Sequence, residues 1–209
     1  MWTAYGSLFE AGDLTSAQTL LVHGGTSSVG VWAILLVKDR GYTVLATTRN
    51  ASKIEKLKKT GADHALLESE LEKEGIRRFA PKGVDVVLEL VGPDALQSVT
   101  FPNLGRHGTA VYTGVLTKGW GIGGFRSSMI PPTRKLTFYG MTNRGSLGDK
   151  DEGLEIVEDV LKDVVRKVED GTFRREVFLD RVFDLRESQE AHEYMEENKA
   201  VGKVVLRIH

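Results

Sequence analysis

Two hydrophobic rhythms alternate along this chain. Short apolar runs rich in Leu and Val, the first being Thr19-Leu20-Leu21-Val22, read as buried strands. Each run ends in a turn of small or polar residues and passes into a stretch with helical spacing. The pattern predicts strands at 19–22, 44–49, 64–67, 84–91, 108–114 and 135–142. Helices are expected at 2–11, 28–40, 52–60, 69–79, 94–101 and 149–169, several of them closed by glycine (Gly12, Gly61, Gly171). Ser52 and Asp94 are the expected N-caps of their helices.

The helix after the first strand has an unusual composition. Val29, Ala33, Leu36 and Val37 make one apolar face, and Trp32, Ile34 and Leu35 leave little polar surface before Lys38. A helix this apolar lies between a sheet and other protein. The later helix at 149–169 is amphipathic, with Leu154, Val157, Leu161, Val164 and Val168 on its expected buried face. Strands alternating with helices imply a parallel sheet with right-handed crossovers. The fold class is therefore α/β, a doubly wound (Rossmann) sheet of about six strands.

After Gly171 the style changes to an extended run at 177–185, a short amphipathic helix at 187–197 and a last strand at 203–208. This divides the chain into residues 1–171, a nucleotide-binding unit, and residues 172–209, an α+β appendage. Residues 117–134 are rich in Gly, Ser and Pro and read as an exposed loop.

Composition adds limits rather than identity. With 41% hydrophobic and 27% charged residues, the chain has an ordinary globular make-up. A net charge of −1 gives no general attraction to nucleic acid or anionic membrane. No apolar run approaches a membrane span, and the N-terminus lacks a signal-peptide layout, so the expected setting is the cytoplasm. The absence of cysteine excludes disulfides and thiolate metal sites. The histidines are scattered over separate elements without ligand spacing.

The strand–turn–helix corner at 19–30 carries the candidate chemistry. Amides that open a helix have no intrahelical acceptor, and the helix dipole adds positive potential there. Small residues let an anion approach that backbone. Gly25 and Gly30 occupy the outer positions of a dinucleotide glycine fingerprint, with Ser27 at its middle position. The next strand then decides which dinucleotide. Where an NAD site presents an acid to the ribose, this chain has Thr48, Arg49, Asn50 and, one turn on, Lys53. Arg49 and Lys53 suit a 2′-phosphate, so the expected cofactor is NADP(H). The turn lacks the Gly-Lys-Ser/Thr of a P-loop, and no G-x-S-x-G elbow is present.

Taken in order, Thr3-Ala4-Tyr5, the Gly24–Gly30 turn, Gly61-Ala62-Asp63, Glu89-Leu90-Val91-Gly92, Ala191-His192 and Gly202-Lys203-Val204-Val205-Leu206 resemble the medium-chain dehydrogenase/reductase superfamily. The branch it is most similar to is the zinc-free, NADPH-using, quinone-oxidoreductase-like one. The resemblance implies that the backbone around Ser27, Ser28 and Val29 holds the pyrophosphate and that Thr48, Arg49 and Lys53 meet the 2′-phosphate. It places Gly92, Thr113, Gly114 and Val115 beside the nicotinamide and its ribose, with Thr3 approaching from the first helix. Glu68 stands where relatives often carry an aromatic residue against the adenine.

Relatives also carry a substrate domain ahead of the Thr-Ala-Tyr helix, into which the segment corresponding to 172–209 folds back. The implied activity is hydride transfer from NADPH to a small quinone, enone or similar acceptor. The alternatives are a non-catalytic NADP(H)-binding module and an enoyl-reductase-like fragment of a larger enzyme. No catalytic residue is named by the sequence. Relatives commonly dimerise through the sixth strand, and the apolar edge at 136–140 makes a homodimer the expected assembly.

Overall fold

The computed structural model describes residues 1–15, 19–114, 116, 126–140 and 154–209. Its centre is a six-stranded, wholly parallel sheet of order β3-β2-β1-β4-β5-β6. The strands are β1 (Thr19–His23), β2 (Thr43–Thr48), β3 (His64–Leu67), β4 (Val84–Glu89), β5 (Leu104–Tyr112) and β6 (Lys135–Phe138). Chain direction reverses across the sheet between β1 and β4, which opens a crevice at their carboxyl ends, where ligands of such sheets bind.

Helices α2 (Ser28–Lys38) and α3 (Ile54–Thr60) pack on one face, together with a first helix whose α turn, α1 (Trp2–Tyr5), runs on as a π-helix at Gly6–Ala11. The other face is covered by α4 (Glu68–Glu74) and by a π-helical turn, Leu96–Thr100, that leads into α5 (Phe101–Asn103). Both cores are mainly aliphatic. Leu20, Val22, Val44, Ala46 and Leu88 face α2, whereas Leu21, Leu45, Val87 and Ala110 face Leu71, Leu96 and Val99. This is the alternation of a strand buried on both sides.

The C-terminal segment comprises α6 (Leu154–Glu169), α7 (Arg175–Phe178), β7 (Leu179–Asp184), α8 (Ser188–Glu196) and β8 (Lys203–Arg207). β7 and β8 form a separate two-stranded parallel sheet. The segment docks on the outer face of α2 through α7 and the residues before it, where Trp32 packs on Phe178 at 4.7 Å and edge-on to Phe173 at 6.0 Å. The second partner required by α2 is thus the chain's own C-terminal segment.

Several local expectations are corrected. Asn50 rather than Ser52 caps the third helical stretch, its carboxamide accepting from the Ser52 amide at 2.9 Å. Asp94 caps nothing, because the chain enters a π turn whose N-cap is Ala95. The fifth strand starts at Leu104, and a bulge at 105–108 separates its first pairing from regular pairing at Thr109. His107 sits there at φ +67°, which disguises the strand start in the sequence. The fourth helix stops at Glu74 because Gly75 takes φ +64°. On α6 the packed residues are Val160, Val164 and Val168, while Leu161 is 48% exposed. The sixth strand ends at Phe138; positions 141–142, the start of the sixth helix and most of the 117–134 loop lie outside the described residues.

Candidate functional site

The β1–α2 corner is built for close backbone approach. Gly24 takes φ +91°, and its amide donates to Thr47 Oγ1 at 3.2 Å, while the Gly25 amide donates to the Thr47 carbonyl at 2.9 Å. The corner is therefore fastened to β2. A Cβ on Gly30 would lie 2.6 Å from the Gly24 carbonyl oxygen, and one on Gly25 3.0 Å from the Ala46 side chain. Gly30 therefore requires glycine for packing, and a side chain at Gly25 would be tight. Ser27 caps α2, its hydroxyl accepting from the Gly30 amide at 3.0 Å. The serine at the fingerprint's middle position thus satisfies one amide itself. The Ser28 and Val29 amides stand in the first turn of α2, where helix amides have no intrahelical acceptor.

Gly24, Thr26, Ser27 and Ser28 line one cleft with Thr48, Arg49 and Glu68, a cavity of about 390 Å³. Thr48 and Arg49 therefore share a surface with the glycine corner, as a dinucleotide phosphate site requires. The far wall comes from the C-terminal segment, with Asn198, Ala200, Gly202 and Lys203. The Gly202 amide donates to the Thr26 carbonyl at 3.0 Å and fixes that wall to the corner. At φ +89°, with its would-be Cβ 2.6 Å from the Phe178 carbonyl oxygen, Gly202 has room only for glycine.

Lys53 is placed differently from Arg49. It is buried, and its ammonium donates to the Ala200 carbonyl at 2.9 Å and to Asn198 Oδ1 at 3.4 Å. Burial, with positive Lys56 and Arg49 nearby, holds its pKa below the usual lysine value despite Asp180. The sequence pairs Arg49 and Lys53 as equivalent phosphate ligands; the fold commits Lys53 to the C-terminal wall.

A second group of expected residues gathers around β4 and the first helix. The Ser7 hydroxyl donates to the Thr3 carbonyl at 2.7 Å and lies 2.8 Å from the Thr113 hydroxyl. Thr3 and Thr113 are thereby joined through a residue absent from the expected set. The π-helical turn is where Ser7 enters the core, and such turns recur at functional sites. The Thr113 and Gly114 amides donate to the Glu89 carbonyl at 3.0 and 3.2 Å, and the Gly92 amide to Glu89 Oε1 at 3.2 Å. A Cβ on Gly114 would meet the Leu90 carbonyl oxygen at 2.7 Å. Val115 lies outside the described residues.

Beneath both groups is a buried polar network. His23 and Glu89, both fully buried, end β1 and β4, with His23 Nδ1 2.8 Å from Glu89 Oε2. Glu89 also accepts from Thr100 at 2.6 Å and from the Val91 amide at 2.8 Å. On its other side His23 Nε2 lies 3.5 Å from Glu68 Oε1, an ion-pair distance that falls short of hydrogen-bond geometry. Burial alone would push the imidazolium down, but the carboxylates of Glu68 and Glu89 overcome it and raise His23 to about 9. In return His23, with a smaller contribution from Arg49, holds Glu68 below the usual carboxylate range. One signal was present in the sequence: His23, Glu68 and Glu89 all stand at or just past the ends of apolar strands that the sheet order brings together.

Among the described residues no cluster of three or more His, Asp or Glu side chains could hold a metal, and no helix is long and apolar enough to cross a membrane. A family model described as zinc-binding dehydrogenase matches residues 60–206. Along 99% of its length the chain is 25% identical to the NADP-dependent oxidoreductase RED1 of Cochliobolus heterostrophus, covering 58% of that protein. It is 28% identical over 98% of its length to the synaptic vesicle membrane protein VAT-1 homolog of Mus musculus, of which it covers 52%. The quinone oxidoreductase structure from Coxiella burnetii superposes with a TM-score of 0.72 at 25% identity, over 99% of this chain and 57% of that one. The chain thus spans a little over half the length of these relatives. By its sequence and its fold it belongs to the zinc-binding dehydrogenase family, within the quinone-oxidoreductase-like branch of the medium-chain dehydrogenases/reductases.

Proposed function

We propose that this chain is the NADP(H)-binding portion of an oxidoreductase that passes hydride to a small quinone, enone or similar acceptor. One observation carries the reading: the Gly24–Ser28 corner and the Thr48–Arg49 strand end open on a single cleft. Diphosphate fits the Ser28 and Val29 amides, where Gly25 and Gly30 keep side chains away. Arg49 meets the 2′-phosphate, with Thr48 beside it, and Lys53 acts by holding the C-terminal wall. Thr3, Gly92, Thr113 and Gly114 border the nicotinamide end. The names of RED1 and of the Coxiella protein support the activity; the cofactor itself supplies the hydride.

The second reading is a module that binds NADPH without turnover. We further infer a cytoplasmic homodimer formed through residues 136–140, with no role for nucleic acid. Phe138 on the edge strand is 57% exposed, which supports association there.

Titration of the purified chain with NADPH and with NADH tests the cofactor. NADPH should bind about tenfold to a hundredfold more tightly, the worth of a charge-assisted contact. Arg49→Ala should erase that preference and leave NADH affinity unchanged; equal affinities in the parent chain would refute the 2′-phosphate assignment. NADPH oxidation with a simple quinone separates the readings, since a rate no faster than that of free NADPH leaves only the binding module. Light scattering at micromolar concentration decides the dimer.

A further inference from the structure

The network under the cleft reaches its surface at one residue. Glu68 lines the cavity, yet one carboxylate oxygen faces His23, which is anchored in turn to the fully buried Glu89. Glu89 cannot turn away, since Thr100 and the Val91 and Gly92 amides also hold it. Glu68 is therefore held ionised beside His23, and an ionised carboxylate only accepts hydrogen bonds. Among the described residues no hydrogen-bond donor is committed to its other oxygen, and its side chain is 20% exposed.

Its position relative to Arg49 follows from strand register. Thr48 of β2 pairs with Leu67 of β3, so Arg49 and Glu68 are the next residues beyond one paired position. Adjacent strands run about 4.8 Å apart. The cleft wall thus offers the Arg49 cation and, one strand further from the glycine corner, a hydrogen-bond acceptor. A nucleotide with its diphosphate at the β1–α2 corner and its ribose phosphate at the β2 end carries its base on toward β3.

We propose that Glu68 is a specificity-determining residue that selects a dinucleotide bearing a 6-aminopurine over one bearing a 6-oxopurine. The exocyclic amine of adenine donates to the carboxylate, whereas the 6-oxo group of hypoxanthine turns lone pairs toward it. The proposal rests on the cleft's being a dinucleotide site.

The test compares NADPH with its hypoxanthine analogue, titrated against the same protein by the change in nicotinamide fluorescence. NADPH should bind about tenfold to a hundredfold more tightly, the range for a hydrogen bond to a charged group. Glu68→Gln, whose amide both donates and accepts, should collapse the preference chiefly by improving binding of the analogue. The ratio is taken within one protein, so loss of stability cancels from it. Equal affinities in the parent chain, or a preference retained in Glu68→Gln, would overturn the base assignment while leaving the dinucleotide site intact. Binding of neither compound would overturn both. If Glu68 served only to pair His23, Glu68→Gln would lower the melting temperature and leave the ratio unmoved.

Discussion

The two walls of the cleft are held in different ways. The glycine corner is part of the sheet: its amides bond to Thr47, its glycines have backbone or core atoms where side chains would go, and beneath it His23 and Glu89 are sealed from water. The opposite wall is tied to the corner by one backbone bond, from Gly202 to Thr26, and otherwise by long side chains. Lys53 reaches Ala200, Lys56 pairs with Asp180, and Lys167 pairs with Asp39, with the aromatic contacts of Trp32 behind them. Contacts of the first kind are lost together, in cooperative unfolding, whereas those of the second kind can open locally. A cleft assembled this way keeps its glycine corner rigid and leaves the other side adjustable.

The comparison breaks most easily at His23. Replacing it by Leu leaves Glu89 buried without its cation, a loss of about 3–5 kcal/mol, seen as a lower midpoint in urea. The same group makes the corner sensitive to pH. Its pKa is 6.5 when unfolded and about 9 when folded, so the folded state binds the proton more tightly. The resulting stabilisation is complete below pH 6.5 and disappears as pH rises through about 9. Melting temperature should therefore fall across that window in the parent chain, and His23→Leu should flatten this part of the profile. A parent profile flat from pH 6.5 to 9.5 would mean that His23 stays neutral in the fold.

Gly30→Ala follows in size. Its Cβ meets backbone rather than a movable side chain, at 2.6 Å from the Gly24 oxygen and 2.8 Å from the Gly25 carbonyl carbon. Overpacking of this kind costs about 1–3 kcal/mol, partly offset by alanine's helix preference of about 1 kcal/mol. Nucleotide binding should suffer more than stability, because relief requires the corner to open where the diphosphate sits. Calorimetric titration with NADPH alongside thermal melting separates the two effects; undiminished affinity would place the diphosphate elsewhere.

The sequence disclosed these walls unequally. The corner was legible because strand, turn and helix follow one another within a dozen residues, and Gly25, Gly30 and Arg49 carry their meaning locally. The parallel, doubly wound sheet followed from alternation and right-handed crossovers. The His23–Glu89–Glu68 network was not legible as a unit, since β1, β4 and β3 become its supports only after the sheet assembles. Ser7 was hidden by the π turn that carries it inward, and the start of β5 by the bulge around His107. The C-terminal wall was the least visible. Nothing near Lys53 in the chain announces that Ala200 will take its ammonium.

Lys53 therefore gives the finest test of the difference between the walls. Arg49 and Lys53 are both basic and both near the end of β2, and composition alone would make their removal equivalent. In the fold, Lys53→Ala loses a tie to Ala200 and Asn198, a hydrogen-bonding contribution of about 1 kcal/mol. The C-terminal wall should loosen, which limited proteolysis between 172 and 209 would detect as faster cleavage. NADPH and NADH affinities should then fall together by a fewfold, leaving their ratio intact, whereas Arg49→Ala changes the ratio itself. A selective loss of NADPH in Lys53→Ala would show that the ammonium leaves Ala200 for the phosphate when cofactor binds. The second wall would then take part in 2′-phosphate recognition, and the division between a rigid cradle and an adjustable flank would lie beyond Lys53 rather than at it.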